Sequence, residues 1–333
     1  MKIAINGFGR IGRQILHRIM QTDSGLEVVA INDLTEPEML SLLFQFDSTY
    51  GRYPGKVELK DGAMVVDGKS IKMFAEKDPT KLPWGDLGVD VVMECTGVFR
   101  TKEKAGFHIQ AGAKKVIISA PCKGEAGPDA TIVMGCNEDT LTGSETIISN
   151  ASCTTNCLAP FAKAVHDAFG IKRGIMTTIH AVTASQKVLD APAKDPRRAR
   201  SCIQNMIPTT TGAAKAVGLV LPELKGKLTG MAVRVPLPTV SLVDLTVELE
   251  KDVTAEEVNT ALKKRAAQIP EILKVEDRPL VSKDFQMDSH SSIVDAPNTM
   301  VMEGNLVKVL SWYDNEWGYS CRMVDLAKYI ASK

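Results

Sequence analysis

Lys2-Ile-Ala-Ile-Asn-Gly-Phe-Gly-Arg-Ile-Gly-Arg13 is the stretch on which the fold turns. Lys2 to Asn6 reads as a short apolar strand, Gly7-Phe-Gly-Arg-Ile-Gly12 as a G-x-G-x-x-G turn, and the residues to about Met20 as an amphipathic helix. The three glycines have separate tasks in such a unit. Gly7 permits the tight turn, Gly9 lets backbone approach a pyrophosphate, and Gly12 lets helix pack on strand. The helix N-terminus then faces phosphate oxygens, with Arg10 and Ile11 supplying first-turn amides. The next strand, Leu26 to Asn32, ends at Asp33, about 20 residues beyond Gly12, where a carboxylate accepting from an adenosine ribose belongs. The same charge repels a 2′-phosphate, which favours NAD over NADP. A glycine turn followed by a solvated aspartate is the plainer alternative, and the strand–turn–helix context weighs against it.

The chain has 333 residues, enough for two domains and a substantial core. Its 40 basic and 40 acidic side chains cancel, so no global field argues for nucleic acid or an acidic membrane surface. The N-terminus runs straight into a strand, with no long apolar leader, and no apolar run approaches membrane-spanning length. Seven cysteines, at 95, 122, 136, 153, 157, 202 and 321, show neither CxxC nor zinc-like spacing. A scattered, odd-numbered set suits a reducing cytosol better than a disulfide framework. The expectation is a cytoplasmic protein with no resident metal, no membrane partner and no nucleic-acid partner.

Glu36 to Phe46 reads as a helix, and residues 51 to 75 as antiparallel hairpins split by Asp61-Gly62 and Asp67-Gly68. Lys77 follows, within reach of the adenine end of a cofactor or simply solvated. Val89 to Cys95 and Lys115 to Ala120 are buried strands on either side of a helix over 101–111. Thr96 and Ser119 therefore lie at carboxyl ends of parallel strands, where ligands bind in such sheets. Strands near 131–135 and 145–149 complete a Rossmann-type, doubly wound parallel sheet domain.

Ile148-Ser-Asn-Ala-Ser-Cys-Thr-Thr-Asn-Cys-Leu-Ala-Pro160 then leads from a short strand into a helix opening near Ser152 and running to Phe169. Pro160 lies inside it and predicts a kink or a lost hydrogen bond. Cys153 falls in the first turn, where free amides and the helix dipole favour an anion, so its thiol is expected below the ordinary value of about 8.5. A packing cysteine after an ordinary Ser cap fits the same segment, and the segment alone leaves both open. Beyond residue 170 strands lengthen and crossovers thin out, the rhythm of an α+β domain with a mixed or antiparallel sheet. Ile175 to Ile179 delivers His180 at a strand end, where it can meet a cysteine at a helix start. The other histidines fall in helices (His17, His108, His166) or a polar stretch (His290).

Residues 182–207 form a polar loop whose Lys194-to-Arg200 charges read as solvated or as a subunit contact. Pro208-Thr-Thr-Thr-Gly-Ala-Ala214 starts a helix, either as a phosphate cradle or as a plain N-cap. Arg234, among apolar neighbours in the strand Leu228 to Val235, needs an anion beside it, a protein carboxylate or a substrate phosphate. Strands over 240–250 and 305–313, a helix over 254–267 and a closing helix through Ile330 finish the chain.

These pieces, in this order, resemble the phosphorylating glycolytic glyceraldehyde-3-phosphate dehydrogenase family essentially from end to end. Ile5-Asn-Gly-Phe-Gly-Arg-Ile-Gly-Arg13, Ala151-Ser-Cys-Thr-Thr-Asn-Cys157, Thr209-Thr-Thr-Gly-Ala-Ala-Lys-Ala216, Arg234-Val-Pro236 and Trp312-Tyr-Asp-Asn-Glu-Trp317 carry the resemblance. It implies an NAD-binding domain over 1–150, completed by the C-terminal helix 315–333, a catalytic domain over 151–314, and a homotetramer. It implies Cys153 as nucleophile and His180 as its base. Ser152, Thr154, Thr211 and Gly212 correspond to the site for inorganic phosphate. Thr183, Arg198 and Arg234 correspond to that for the phosphate of glyceraldehyde 3-phosphate. Arg10, Ile11, Asp33, Lys77, Ser119 and Asn315 fall on NAD-contacting positions, beside the glycines at 7, 9 and 12. The implied product is 1,3-bisphosphoglycerate, released from a Cys153 thioester by phosphate.

The chain departs from the pattern at Asp190-Ala191, where many NAD-preferring bacterial relatives carry leucine at the Ala191 position. The smaller side chain leaves room near the ribose, so NAD is expected as main cofactor with some tolerance of NADP. Erythrose-4-phosphate dehydrogenase is the nearest rival. The Thr209-to-Ala216 run and Ala181-Val-Thr-Ala-Ser-Gln-Lys187 favour the glycolytic type. A nucleotide- or RNA-binding protein with vestigial catalysis has only the Lys194-to-Arg200 cluster behind it.

Overall fold

The computed structural model describes all 333 residues, which fall into two compact units. One comprises Met1–Ile132, Glu138–Ala151 and Ser320–Lys333, the other Val133–Asn137 and Ser152–Tyr319. In the first unit nine strands form one sheet, beginning in spatial order at Ala130, Ile147, Lys115, Val91, Lys2, Glu27, Lys69, Ala63 and Val57. The pairings from Ala130–Thr131 through Lys69–Phe74 are parallel, and the last two are antiparallel hairpins that extend one edge. Asp61-Gly62 and Asp67-Gly68 all take positive φ, the backbone that a two-residue hairpin turn requires. Ile3 to Ile5, Val91 to Met93 and Val116 to Ile118 are buried, so these central strands read as unbroken apolar runs. From Lys2–Asn6 the chain builds first toward Glu27–Asn32 and then returns to Val91–Glu94 on the other flank. That reversal opens a crevice at the carboxyl ends of the three strands.

The second unit has a mixed sheet whose strands begin, in spatial order, at Ile207, Leu228, Ile171, Ser241, Leu306, Ser292 and Leu273, with Met300–Met302 added to Leu306–Tyr313. Leu228–Arg234 runs parallel to Ile171–His180, while Ser241–Leu249 pairs antiparallel on its other side. Ser241–Leu249 alternates strictly between buried and half-buried positions, and the Cys153–Phe169 helix packs on this sheet. That helix continues through Pro160 to Phe169. The segment expected to open a helix at Pro208 instead begins as the edge strand Ile207–Thr210, and the helix starts at Ala213. An edge position tolerates the missing N–H of Pro208, and the β-branched threonines suit an extended backbone. No helix is long and apolar enough to cross a membrane.

Candidate active site

Cys153 is the first residue of its helix, and Ser152 caps it, its Oγ accepting from Thr155 N at 3.1 Å. Ala151 takes φ 54 just before the cap, a left-handed turn costing a side-chain-bearing residue about 1–2 kcal/mol. His180 ends the Ile171–His180 strand, and the parallel register sets it opposite Arg234. Cys153 Sγ lies 3.5 Å from His180 Nε2. His180 Nδ1 lies 2.7 Å from Ala181 O, and with the proton on Nδ1 the Nε2 atom is the acceptor facing the sulfur. Tyr313 Oη sits 2.9 Å from both Thr154 Oγ1 and Thr178 Oγ1. It thereby ties the first turn of the helix to the strand that carries the imidazole.

Burial and charge distribute the proton. Burial, helped by the Arg234 guanidinium, pushes His180 down to about 3. Arg234 Nη1 lies 2.7 Å from His180 Nδ1 and donates to Ala181 O at 3.0 Å. Burial also pushes the Cys153 thiol up, against the opposing pull of Arg234 and of the Thr154 hydroxyl and amide. This reverses the direction expected from the helix start alone. Desolvation of a thiolate outweighs the favourable field of the first turn. Both shifts leave the proton on sulfur and His180 as a free base.

The other residues of this unit singled out in the sequence are held by local partners. Arg198 Nε donates to Thr209 Oγ1 at 2.9 Å and Nη2 to Thr210 O at 3.3 Å, which holds Arg198 on the edge strand paired with the Arg234 strand. Arg198 is felt electrostatically by both His180 and Arg234. Thr211 Oγ1 accepts from Ala213 N at 3.2 Å, and Gly212 is the cap of the Ala213–Val220 helix. Thr183 Oγ1 lies 3.2 Å from Ser185 Oγ, in the loop after the histidine. Asn315 Oδ1 accepts from Ser241 Oγ at 2.9 Å, and Ser241 Oγ accepts from Ala181 N at 3.1 Å. Asp190 is held by Arg200 Nε at 2.7 Å and Ser201 N at 2.8 Å, which closes the loop around Ala191.

In the first unit a cleft of about 380 Å³ opens at the carboxyl ends of the strands, lined by Gly7, Gly9, Asp33, Lys77, Thr96 and Phe99 among others. A Cβ on Gly7, which has φ 93, would stand 2.6 Å from Thr96 N. A Cβ on Gly12 would stand 2.2 Å from Gly7 O, whereas one on Gly9 would meet nothing within 4 Å. Asp33 Oδ2 accepts from Phe8 N at 2.8 Å and Oδ1 from Thr35 N at 3.0 Å, so the carboxylate is fixed at the lip of the cleft. Arg10 pairs with Asp47 and lies over the Tyr50 ring. Ser119 N donates to Glu94 O at 2.9 Å at the next strand end.

Residues 1–102 match the family model described as glyceraldehyde 3-phosphate dehydrogenase, NAD binding domain, and residues 152–315 match its C-terminal domain. Over 335 residues the chain is 57% identical to glyceraldehyde-3-phosphate dehydrogenases of Priestia megaterium and Geobacillus stearothermophilus, covering 100% of this chain and 99% of each relative. Glyceraldehyde-3-phosphate dehydrogenase 1 of Bacillus subtilis is equally similar. The chain belongs to the glyceraldehyde-3-phosphate dehydrogenase family.

A Rossmann NAD-binding domain and a mixed-sheet catalytic domain are the architecture of that family. The cleft fits the nucleotide such a dehydrogenase uses: open space above Gly9, backbone packed tightly beneath Gly7 and Gly12, and a fixed carboxylate at Asp33. Two features escaped the sequence reading. Tyr313 lies inside a stretch quoted for the resemblance, yet nothing in its spacing showed it bridging Thr154 and Thr178. Asn6, Asn32 and Glu94 also went unnoticed, although each ends an apolar run with a polar side chain, and that was the available signal.

Proposed function

We propose that Cys153 is the nucleophile and His180 the base of a phosphorylating glyceraldehyde-3-phosphate dehydrogenase; the 3.5 Å approach of Sγ to Nε2 carries this reading. The reaction oxidises the aldehyde of glyceraldehyde 3-phosphate, and NAD, when bound, supplies the hydride acceptor. With the proton resting on sulfur, Nε2 takes it as Sγ adds to the aldehyde carbon, then returns it to the new alkoxide oxygen. Oxidation of that carbon requires the hydroxyl proton to leave, and the same nitrogen removes it while Ala181 O holds the ring. The resulting thioester is attacked by inorganic phosphate, Sγ departs, and 1,3-bisphosphoglycerate is released. A thioester conserves the oxidation energy that an oxygen ester would hold less well.

Arg234 Nε is buried without an acceptor, which supports an anion beside it, and the substrate phosphate is assigned to Arg234, Arg198 and Thr183. Inorganic phosphate is assigned to Ser152, Thr154, Thr211 and Gly212. Thr154 contributes its amide there, because its hydroxyl is engaged by Tyr313. Gly7, Gly9, Gly12, Arg10 and Ile11 are assigned to the pyrophosphate, Asp33 and Lys77 to the adenosine end, and Ser119 and Asn315 to further cofactor contacts. NAD is preferred because Asp33 opposes a 2′-phosphate, with some NADP use permitted by Ala191. Exposed Ile175, Met206, Met231, Met300 and Met302 support a homotetramer in which these apolar side chains are covered.

Purified protein assayed with each aldehyde phosphate, with and without phosphate and with either cofactor, tests the reading. Cys153→Ser is expected to lower turnover by at least about a thousandfold while cofactor binding persists. Turnover close to wild type in Cys153→Ser ends the assignment.

A further inference from the structure

Beneath the cleft runs a chain of buried hydrogen bonds that converges on the carboxylate of Glu94. Trp84 Nε1–H donates to His108 Nδ1 at 3.0 Å, so the imidazole carries its proton on Nε2, 3.1 Å from Glu94 Oε2. From the opposite side Asn6 Nδ2 donates to the same oxygen at 2.6 Å, passing 3.3 Å from His108 Nε2. Asn6 Oδ1 accepts from Asn32 Nδ2 at 2.7 Å. Asn32 is clamped on the backbone of Glu76, donating to its carbonyl at 2.9 Å and accepting from its N–H at 2.8 Å. The other carboxylate oxygen, Oε1, accepts from Thr96 N at 2.8 Å and from the Thr96 hydroxyl. An indole that only donates and a carboxylate that only accepts therefore fix the His108 tautomer, and the carboxylate together with the Glu76 backbone fixes which way the Asn6 and Asn32 amides face.

The network sits where the ligand-facing strand ends are, and nowhere else in those strands. Ile3 to Ile5 and Val91 to Met93 are apolar and buried, whereas Asn6, Asn32 and Glu94 follow at the three carboxyl ends. Stability alone does not favour this choice, since well-packed apolar replacements of buried charged networks are often neutral or stabilising. Its outputs are local to the cleft. Asn32 precedes Asp33, Glu76 precedes Lys77, and Thr96 N is the group against which Gly7 packs.

We propose that Glu94 and His108 are positioning residues for the adenosine and pyrophosphate half of the cofactor, acting through Asn6, Asn32 and Thr96 on Asp33, Lys77 and the Gly7 turn. This rests on the reading of the cleft as the cofactor site. Glu94→Gln keeps the shape but puts an amide –NH₂ among donors from Asn6, His108 and Thr96, so at least one neighbouring amide must turn. His108→Gln keeps a donor near the Nε2 position, and His108→Leu removes it.

Calorimetric titration with ADP-ribose and with NAD tests this on wild type and the three variants. Wild type binds both. Glu94→Gln and His108→Leu bind both about tenfold more weakly, a loss of about 1.4 kcal/mol. His108→Gln stays near wild type. At saturating NAD, kcat and the KM for the aldehyde are unchanged in Glu94→Gln. Wild-type affinity in folded Glu94→Gln overturns the proposal, as does a parallel fall in kcat and aldehyde affinity. If Glu94→Gln does not fold, the two His108 variants decide: affinity equal to wild type in both overturns it. Failure of the wild type itself to bind either probe removes instead the reading of the cleft.

Discussion

Two helices in this chain begin directly after a parallel strand, and they begin differently. The Arg10–Gln21 helix opens on exposed Gly9 with no side-chain cap and empty space where a Cβ would lie. The Cys153–Phe169 helix opens on Ser152, whose hydroxyl already answers one first-turn amide, and places a sulfur at the first helical position. A helix start offers the same partial positive charge in both places. What separates them is solvent and the identity of one or two side chains. At Gly9 the amides stay open to a wetted anion, whereas at Cys153 burial raises the thiol despite the same field. A helix N-terminus therefore lowers the pKa of a thiol only where desolvation does not outweigh its field.

The largest expected effect in this comparison belongs to His180, proposed as the base for the half-buried thiol at that helix start. His180→Asn is expected to lower kcat by about 10²–10⁴-fold with cofactor affinity unchanged. The same ring leaves a signature in stability. An unfolded chain binds a proton at His180 below about pH 6.5, and the fold resists it down to about 3. The unfolded state holds more protons in that window, so stability rises with pH from about 3 to 6.5 and is lost as acid is added. Urea unfolding at pH 4, 5.5 and 7 should show part of this slope missing in His180→Asn. A wild-type-minus-variant difference that does not change with pH contradicts the buried free base.

The glycine turn yields the next effect, and it divides ligand cost from folding cost. Gly9→Ala points a methyl into space that no protein atom occupies, so thermal stability holds while NAD affinity drops about tenfold or more, about 1.4 kcal/mol. Gly12→Ala drives its Cβ against Gly7 O, and overpacking of this kind costs about 1–3 kcal/mol of stability. Differential scanning calorimetry beside NAD titration separates the two. Wild-type NAD affinity in Gly9→Ala means that the turn's amides do not meet a pyrophosphate.

Local chemistry was legible in the sequence, and long-range register was not. Lys2–Asn6 with its glycine turn, and the Asp-Gly hairpins, depend on residues adjacent in the chain, so periodicity and turn chemistry sufficed. The pairing of His180 with Arg234 depends on two parallel strands far apart in sequence, which no spacing encodes. Thr209 and Thr210 were read as a helix start because hydroxyls favour caps, and the edge pairing with Leu228–Arg234 claimed them instead. The direction of the Cys153 shift was missed for a related reason: the field of a helix start is readable from position, but burial is a property of the whole packed unit.

The smallest effect returns to the capped helix. Ser152→Ala removes the acceptor for Thr155 N and should cost about 1 kcal/mol, while Ser152→Gly costs only a few tenths because glycine relieves the extended backbone of a cap. Guanidinium melts read this directly, and equal losses for the two variants would show that the hydroxyl is not acting as a cap. The Arg10–Gln21 helix has no such side chain to lose. Its equivalent stabilisation has to come from the bound cofactor, about 2.7 kcal/mol at a hundredfold excess over Kd. NAD should therefore raise the melting temperature of Ser152→Ala as much as that of wild type, since each helix start is completed by a different partner.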